Sequence, residues 1–181
     1  MKLTFFMAIC LFASTIGSAQ NKYSSKTGTI DFEASVPSFE EVKAVNENVS
    51  AILNTDNGEF ASLALVKGFR FKVALMEEHF NENYIESSQF PKAVFKGKLQ
   101  DFDFSEVSEN VSEYMLKGTI TIHGVTEPFE TSVKIKKVND AIELQTEFEL
   151  KPEKFNIKIP KIVSNKIAKE VFVTAIFSLS N

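Results

Sequence analysis

Residues 142–150 read IELQTEFEL, in which apolar side chains and Thr146 alternate with acidic or amide side chains. Successive side chains of a β-strand point to opposite faces of the sheet, so this pattern predicts a strand with one buried face and one face in water. Residues 116–123, LKGTITIH, follow the same rule, with Gly118 on the apolar face. Both stretches therefore indicate half-buried strands of an antiparallel sheet.

The same alternation recurs along most of the chain. It is found in residues 30–34, 69–73, 95–99 and 132–136, and a last strand, residues 170–179, is richer in β-branched and aromatic residues on both faces. Residues 49–54 and 59–66 add two strands joined by the hairpin-like turn Asp56-Asn57-Gly58. About nine strands with short turns predict an all-β sandwich or a closed barrel, and closure removes exposed strand edges. We predict a closed eight-stranded antiparallel β-barrel, which is just wide enough to hold one small ligand.

Two segments lack this alternation and predict one or two short helices at an end of the barrel. Residues 75–87, LMEEHFNENYIES, place apolar residues near helical spacing, and residues 162–170 follow Pro160. Gly97 and Gly118 fall at inward positions within strands. A missing side chain at such a position permits sharp bending or leaves room for something else.

The first 19 residues have the order of a secretory signal peptide: Lys2, an apolar run to Ile16, and the small residues 17–19. The run is shorter than the roughly 20 residues that a membrane-spanning helix needs, so we expect cleavage rather than a stable membrane span. The expected product is one domain, residues 20–181, in the periplasm or secreted. Because Cys10 is the single cysteine, that domain must be stabilised by its core and not by disulfides.

Composition excludes one class of partner. The full sequence has a formal charge of −4, which becomes −5 without Lys2, and Arg70 is its only arginine. Nucleic acid is therefore not an expected partner, because phosphate recognition depends on clustered Lys and Arg. Fifteen of the 18 phenylalanines lie beyond residue 19. This content fits either a tightly packed core or the apolar wall of a lipid cavity.

The sequence contains few residues that could carry chemistry. His79 and His123 are its only histidines, and the carboxylates around His79 lack the spacing of a known zinc motif. It has no nucleophile elbow, P-loop or dinucleotide-binding glycine motif. We therefore predict no catalytic residues, no metal and no cofactor. An enzyme acting on a lipid would instead require one of the histidines beside a carboxylate and a hydroxyl in a pocket.

Two stretches resemble the YceI-like family of exported proteins: residues 79–99, HFNENYIESSQFPKAVFKGKL, and residues 116–130, LKGTITIHGVTEPFE. The first contains the family's F-P-x-x-x-F pattern, here Phe90-Pro91 with Phe95. The second contains its G-x-[IL]-T-[IL]-x-G-V-[ST] pattern, here residues 118–126. The resemblance implies a lipocalin-like barrel that binds a long-chain lipid such as a polyisoprenoid, an isoprenoid quinone or a fatty amide.

By this resemblance we expect an exported protein that holds one long apolar lipid inside the barrel for transport, storage or sequestration. The expected wall residues face away from the charged neighbours on their strands and are Phe32, Phe69, Phe71, Phe95, Leu99, Leu116, Ile120, Ile122, Val133, Ile135, Leu144 and Phe148. Tyr84, His79 and Arg70 are the polar residues expected nearest the barrel mouth. The alternative is a filled barrel that acts through its outer surface as an interaction or envelope-stress module. Association into a homodimer stays open.

Overall fold

The computed structural model describes residues 21–181, so the predicted signal peptide, residues 1–19, lies outside the described residues. The described residues form nine β-strands and one α-helix. The strands are β1 (Lys22–Ser35), β2 (Lys43–Asn54), β3 (Glu59–Leu65), β4 (Arg70–Phe71), β5 (Lys92–Leu99), β6 (Ser112–Ile122), β7 (Val125–Val138), β8 (Ala141–Leu150) and β9 (Ile167–Leu179). The helix α1 (Ala74–His79) continues into one turn of π-helix, Phe80–Tyr84.

Eight of these strands close into an antiparallel barrel, as the alternation predicts. The order around the sheet is β1, β9, β8, β7, β6, β5, β3 and β2. The ladder between β1 and β2 closes the circle, from Lys22 opposite Asn54 to Glu33 opposite Lys43. The predicted fold class is therefore confirmed.

The ninth strand, β4, is much shorter than the alternation of residues 69–73 predicts. It pairs with β2 over two residues, beyond the part of β2 that pairs with β3. The carboxylate of Glu77 in α1 accepts a hydrogen bond from the Phe71 amide at 3.1 Å and another from Arg70 Nη1 at 2.8 Å. The helix thus holds both residues of this short strand from the side.

One of the two predicted helical segments is not a helix. Residues 160–166 form successive turns, in which the Val163 amide donates to the carbonyl of Pro160 at 3.0 Å and the Lys166 amide to that of Val163 at 2.9 Å. Strand β9 begins directly afterwards, at Ile167. The segment 162–170 is therefore half turn and half strand.

Gly97 and Gly118 lie directly opposite each other where β5 pairs with β6. A Cβ atom on Gly118 would meet the backbone of Lys96, and one on Gly97 would meet the backbone of Lys117 and the ring of Phe95. The glycines therefore allow a close approach of the two strands and let the Phe95 ring lie over the backbone.

A packed core fills the end of the barrel where β1 begins and β9 ends. Its almost completely buried side chains include Leu53, Leu99, Val133, Ile135, Ile142, Leu144 and Leu179. A chain of neighbouring rings crosses the middle of the barrel, with centroid distances from 4.8 to 6.1 Å, and consists of Phe148, Phe129, Phe95, Phe60 and Phe177. The opposite end of the barrel holds the candidate site.

Candidate ligand-binding cavity

A cavity of about 370 Å³ occupies this second end of the barrel. Inward side chains of β1, β3, β5, β6, β8 and β9 form its wall. Its rim consists of three segments: the loop 36–42, α1 with its π-helical turn, and residues 151–166. The exposed side chains of Glu40, His79 and Lys166 lie at the rim, so the cavity opens to solvent there.

Four phenylalanines form one side of the wall. The ring of Phe80 lies 5.5 Å from Phe32, 6.0 Å from Phe69 and 5.2 Å from Phe71, measured between ring centroids. Phe32 also contacts Phe69 at 5.3 Å and Phe71 at 5.7 Å. Tilted and edge-on ring pairs stabilise beyond the burial of their area. Phe80 thus fixes the π-helical turn against the barrel and completes the wall.

The lining is almost entirely hydrocarbon. Four lining residues carry a polar or charged side chain: Glu40, His79, Tyr84 and Lys166. Three of these four are exposed at the rim. Such a cavity binds by removing apolar surface from water, with little hydrogen bonding to fix a ligand's chemical identity.

A smaller cavity of about 70 Å³ lies deeper in the barrel. It shares lining residues with the main cavity, namely Ile30, Ala64, Ala93, Ile120 and Phe148. Thr131 and Thr146 lie beside it, with their hydroxyl oxygens 3.0 Å apart, and Thr146 donates to the carbonyl of Ser132 at 2.8 Å. Both hydroxyls form hydrogen bonds within the barrel. Their burial beside an apolar cavity therefore costs little free energy.

The structure divides the twelve predicted wall residues between the two ends of the barrel. Six line the main cavity: Phe32, Phe69, Phe71, Ile120, Ile122 and Phe148. Phe95 and Leu116 line the smaller cavity. The remaining four lie in the packed core and are Leu99, Val133, Ile135 and Leu144. Contact of any of them with a ligand stays a prediction.

Two of the three polar residues expected near the mouth are at the cavity. His79 and Tyr84 line it, whereas Arg70 is turned toward α1 and binds Glu77 through Nη1 and Oε1 at 2.8 Å.

The wall residues of the rim segment 151–166 were not predicted from the sequence. A signal was present, because Phe155, Ile157 and Ile159 alternate with polar residues and all three line the cavity.

His123 lies beside the cavity rim. Its Nε2 is 2.9 Å from Oε2 of Glu86, and its Nδ1 is 2.9 Å from the carbonyl oxygen of Phe155. Both ring nitrogens are therefore engaged by groups of the protein itself. Neither nitrogen is then available to activate a hydroxyl.

Two further findings concern the described part of the chain. Among residues 21–181, no group of three or more His, Cys, Asp or Glu side chains is placed to hold a metal ion. Within the same range, no helix is both long enough and apolar enough to span a bilayer.

The fold and the cavity together define a closed antiparallel β-barrel with an apolar interior at one end. The model of the YceI-like domain family matches residues 14–179, and this chain belongs to that family. The resemblance carried by residues 79–99 and 116–130 is therefore confirmed. No curated protein matches the sequence significantly.

Several solved structures share the fold. A polyisoprenoid binding domain from Saccharophagus degradans implicated in plant cell wall breakdown is similar with a TM-score of 0.76 and 13% identity, over 89% of this chain and 98% of that chain. BcnA from Burkholderia cenocepacia has a TM-score of 0.70 and 14% identity, over 85% and 96%. A YCEI protein from Campylobacter jejuni has a TM-score of 0.60 and 13% identity, over 79% and 88%. At these identities the likeness concerns the fold.

Proposed function

We propose that this protein binds the apolar chain of a lipid in the cavity and holds it for transport, storage or sequestration. The observation that carries the proposal is a cavity of about 370 Å³ with almost no polar lining. Burial of one methylene contributes about 0.8 kcal/mol, so a long chain gains ample binding energy without a specific head-group contact. The wall residues that we propose to contact the chain are Phe32, Phe69, Phe71, Ile120, Ile122 and Phe148.

The cavity volume indicates how much chain it encloses. One water molecule occupies about 30 Å³ in the liquid, and we take the same volume for one methylene group. At that volume per group, a cavity of 370 Å³ accommodates roughly twelve carbons. The smaller cavity of about 70 Å³ would add roughly two more. A longer isoprenoid chain would extend through the open end of the barrel.

The family and one structural relative support this class of ligand. The domain from Saccharophagus degradans, which shares the fold, is described as polyisoprenoid binding. We therefore place polyisoprenoids first among the candidate ligands, with isoprenoid quinones and fatty amides next by the resemblance of the sequence to its family.

We infer a binding protein rather than an enzyme. His123 has both ring nitrogens engaged by Glu86 and Phe155, and the cavity wall offers hydrocarbon where a reacting group would need polar partners. We also propose that residues 1–19 are removed as a signal peptide and that the barrel, residues 20–181, acts in the periplasm or outside the cell.

The test is native mass spectrometry of the protein purified from its own cell envelope, followed by organic extraction of any released molecule. We expect a stoichiometric polyprenyl or long acyl species, and the same spectrum distinguishes a monomer from a homodimer. A bare mass, together with no binding of dansyl-labelled undecanoic acid in solution, would overturn the proposal. That result would favour the filled barrel that acts through its surface.

Two alanines of β3 provide a matched pair of variants. Ala64 is 2% exposed and lines both cavities, whereas Ala61 pairs with Lys96 on the outer face. Ala64→Phe displaces the volume of about two or more methylenes of ligand, so probe affinity should fall about tenfold or more. Ala61→Phe should leave the affinity unchanged. Circular dichroism checks folding, and Ala64→Leu repeats the test if the phenylalanine variant does not fold.

A further inference from the structure

A basic segment borders the open end of the cavity. Residues 151–170, KPEKFNIKIPKIVSNKIAKE, contain six lysines and two glutamates, a formal charge of +4 in a sequence whose net charge is −4. Lys151 pairs with Glu170 at 3.0 Å and is the one lysine of the six that forms an ion pair with another described residue. The other five are exposed: Lys154, Lys158, Lys161, Lys166 and Lys169.

This segment has two faces with different surroundings. Phe155, Ile157, Ile159 and Val163 line the cavity. Lys158 and Lys161 lie between them in sequence and are exposed, and Ile162 is 85% exposed at the turn. Ile162 is the most exposed of the large hydrophobic residues within residues 21–181. One stretch of chain thus connects the hydrocarbon interior to an outer surface of lysines and isoleucine.

The rest of the rim differs in charge but also exposes apolar side chains. Phe39 of the loop 36–42 is 44% exposed and Leu75 of α1 is 56% exposed. Both segments are acidic: Glu40 and Glu41 follow Phe39, and four glutamates lie within residues 77–86. Each of the three rim segments therefore exposes at least one large apolar side chain, while residues 151–170 are basic and the other two segments are acidic.

We propose that residues 151–170 dock this protein on a membrane surface that contains anionic phospholipids. The exposed lysines would contact the anionic head groups, and Ile162 would insert between them. An acidic protein would also attract the lysines. A lipid surface fits better, because the exposed apolar residues surround an opening into hydrocarbon. The acidic side of the rim would tilt away from the bilayer.

Docking in this orientation has a structural consequence for the cavity. Because the inner face of the same segment lines the cavity, a lipid chain that leaves the bilayer would pass along one stretch of the protein into the barrel. The docking itself depends on the outer face of residues 151–170 and not on the ligand, so it can be tested apart from the proposed function.

The experiment is cosedimentation of residues 21–181, which contain the complete barrel and core, with vesicles of two compositions. We expect binding to vesicles of equal parts phosphatidylcholine and phosphatidylglycerol at low salt, and little binding to phosphatidylcholine alone. Binding should weaken as salt is raised, because the Debye length falls from about 30 Å at 0.01 M to about 8 Å at 0.15 M. Absence of binding to the anionic vesicles at low salt overturns the proposal and favours an acidic protein as the partner.

Matched variants identify the docking face. Each lysine near an anionic surface strengthens binding about fivefold, so Lys158→Glu/Lys161→Glu should weaken it about 25-fold or more. The double variant Lys26→Glu/Lys134→Glu makes the same charge change at the filled end of the barrel. It should bind the anionic vesicles much more tightly than Lys158→Glu/Lys161→Glu does. Equal affinities of the two double variants would overturn the proposal. None of these lysines lines the cavity, so both variants should bind dansyl-labelled undecanoic acid like the wild type, and failure of the cavity function would be seen separately.

Discussion

The Nε2 atom of His123 lies 2.9 Å from Oε2 of Glu86, and this contact joins the turn between β6 and β7 to the end of the π-helical turn. The second ring nitrogen binds the carbonyl of Phe155 at 2.9 Å, which joins the rim segment 151–166 to the same imidazole. Both His123 and Glu86 have a positive φ, 51° and 47°, a conformation that costs energy in residues with a side chain. The contacts of the imidazole hold this strained arrangement in place.

Replacing His123 with glutamine should therefore destabilise the barrel. A hydrogen bond to a charged group is worth about 1.5–3 kcal/mol, and the half-exposed Glu86 reduces this to about 1–2 kcal/mol. The measurement is the free energy of unfolding in urea. His79→Gln is the control, because the exposed His79 should contribute less than about 0.5 kcal/mol. Equal losses in the two variants would contradict the assigned role of His123.

Gly118→Ala should also destabilise the protein, by about 1–3 kcal/mol. The added methyl group would meet the backbone of Lys96 on the paired strand, which cannot move away without disturbing the β5–β6 ladder. Urea unfolding measures the loss. Thr119→Ala, on the exposed face of the same strand, should change the stability by less than about 0.5 kcal/mol. Wild-type stability in Gly118→Ala would show that the strands separate there at no cost.

Alternation along the strands correctly predicted which side chains face the interior. Val133, Leu144 and Ile120 all lie inside the barrel, as their polar neighbours indicate. The position along the barrel axis could not be predicted in this way. Val133 and Leu144 fill the packed end and Ile120 lines the cavity, because a period of two residues specifies a face but not which end of a strand will be covered.

The rim of the cavity was less predictable than its wall. Phe80 lies in a π-helical turn, where no strand alternation could assign it, and Phe155 lies in a short 3-10 turn, where its alternation with Ile157 and Ile159 falls outside every strand. Their inward positions result from tertiary contacts: Phe80 packs on the phenylalanines of β1 and β4, and the carbonyl of Phe155 binds His123. Such contacts join residues distant in sequence and leave little local pattern.

Stability should fall at high pH in a way that depends on Tyr114. Burial raises the pKa of Tyr114, and the charges of Glu106 and Asp103 raise it further. The folded state thus favours the neutral phenol. The stability that the neutral phenol of Tyr114 contributes is complete below the unfolded pKa of about 10. It is lost as the pH rises through the higher pKa of the folded state.

The corresponding experiment compares urea unfolding of the wild type and Tyr114→Phe at about pH 8 and about pH 11. The wild type should lose more stability between the two values than the variant, since phenylalanine has no proton to release. Ion pairs of lysine, such as Lys43 with Asp31, weaken in both proteins and cancel in the comparison. Identical pH dependence would show that the phenol of Tyr114 is equally accessible in the folded and unfolded states.

Phe148 has the largest side chain of the five residues that line both cavities, and its size should limit the length of chain that the barrel encloses. It lines both cavities and packs against Phe129 at 4.8 Å between ring centroids. Phe148→Ala would join the two volumes, about 370 and 70 Å³, and add the space of the lost ring. A longer chain could then bury methylenes that remain outside the wild-type barrel.

The measurement is displacement of dansyl-labelled undecanoic acid by dodecanoic and hexadecanoic acids. Each additional buried methylene contributes about 0.8 kcal/mol, a factor of about four, so two more should shift the preference toward hexadecanoic acid by about 15-fold. Phe172→Ala, on the outer face of β9 and 43% exposed in the wild type, should leave the preference unchanged. Phe148→Ala should also cost about 2–4 kcal/mol of stability, so binding is compared at a temperature where urea unfolding shows both variants to be folded. An unaltered preference in a folded Phe148→Ala variant would mean that the chain stops short of this ring and that another part of the wall sets its length.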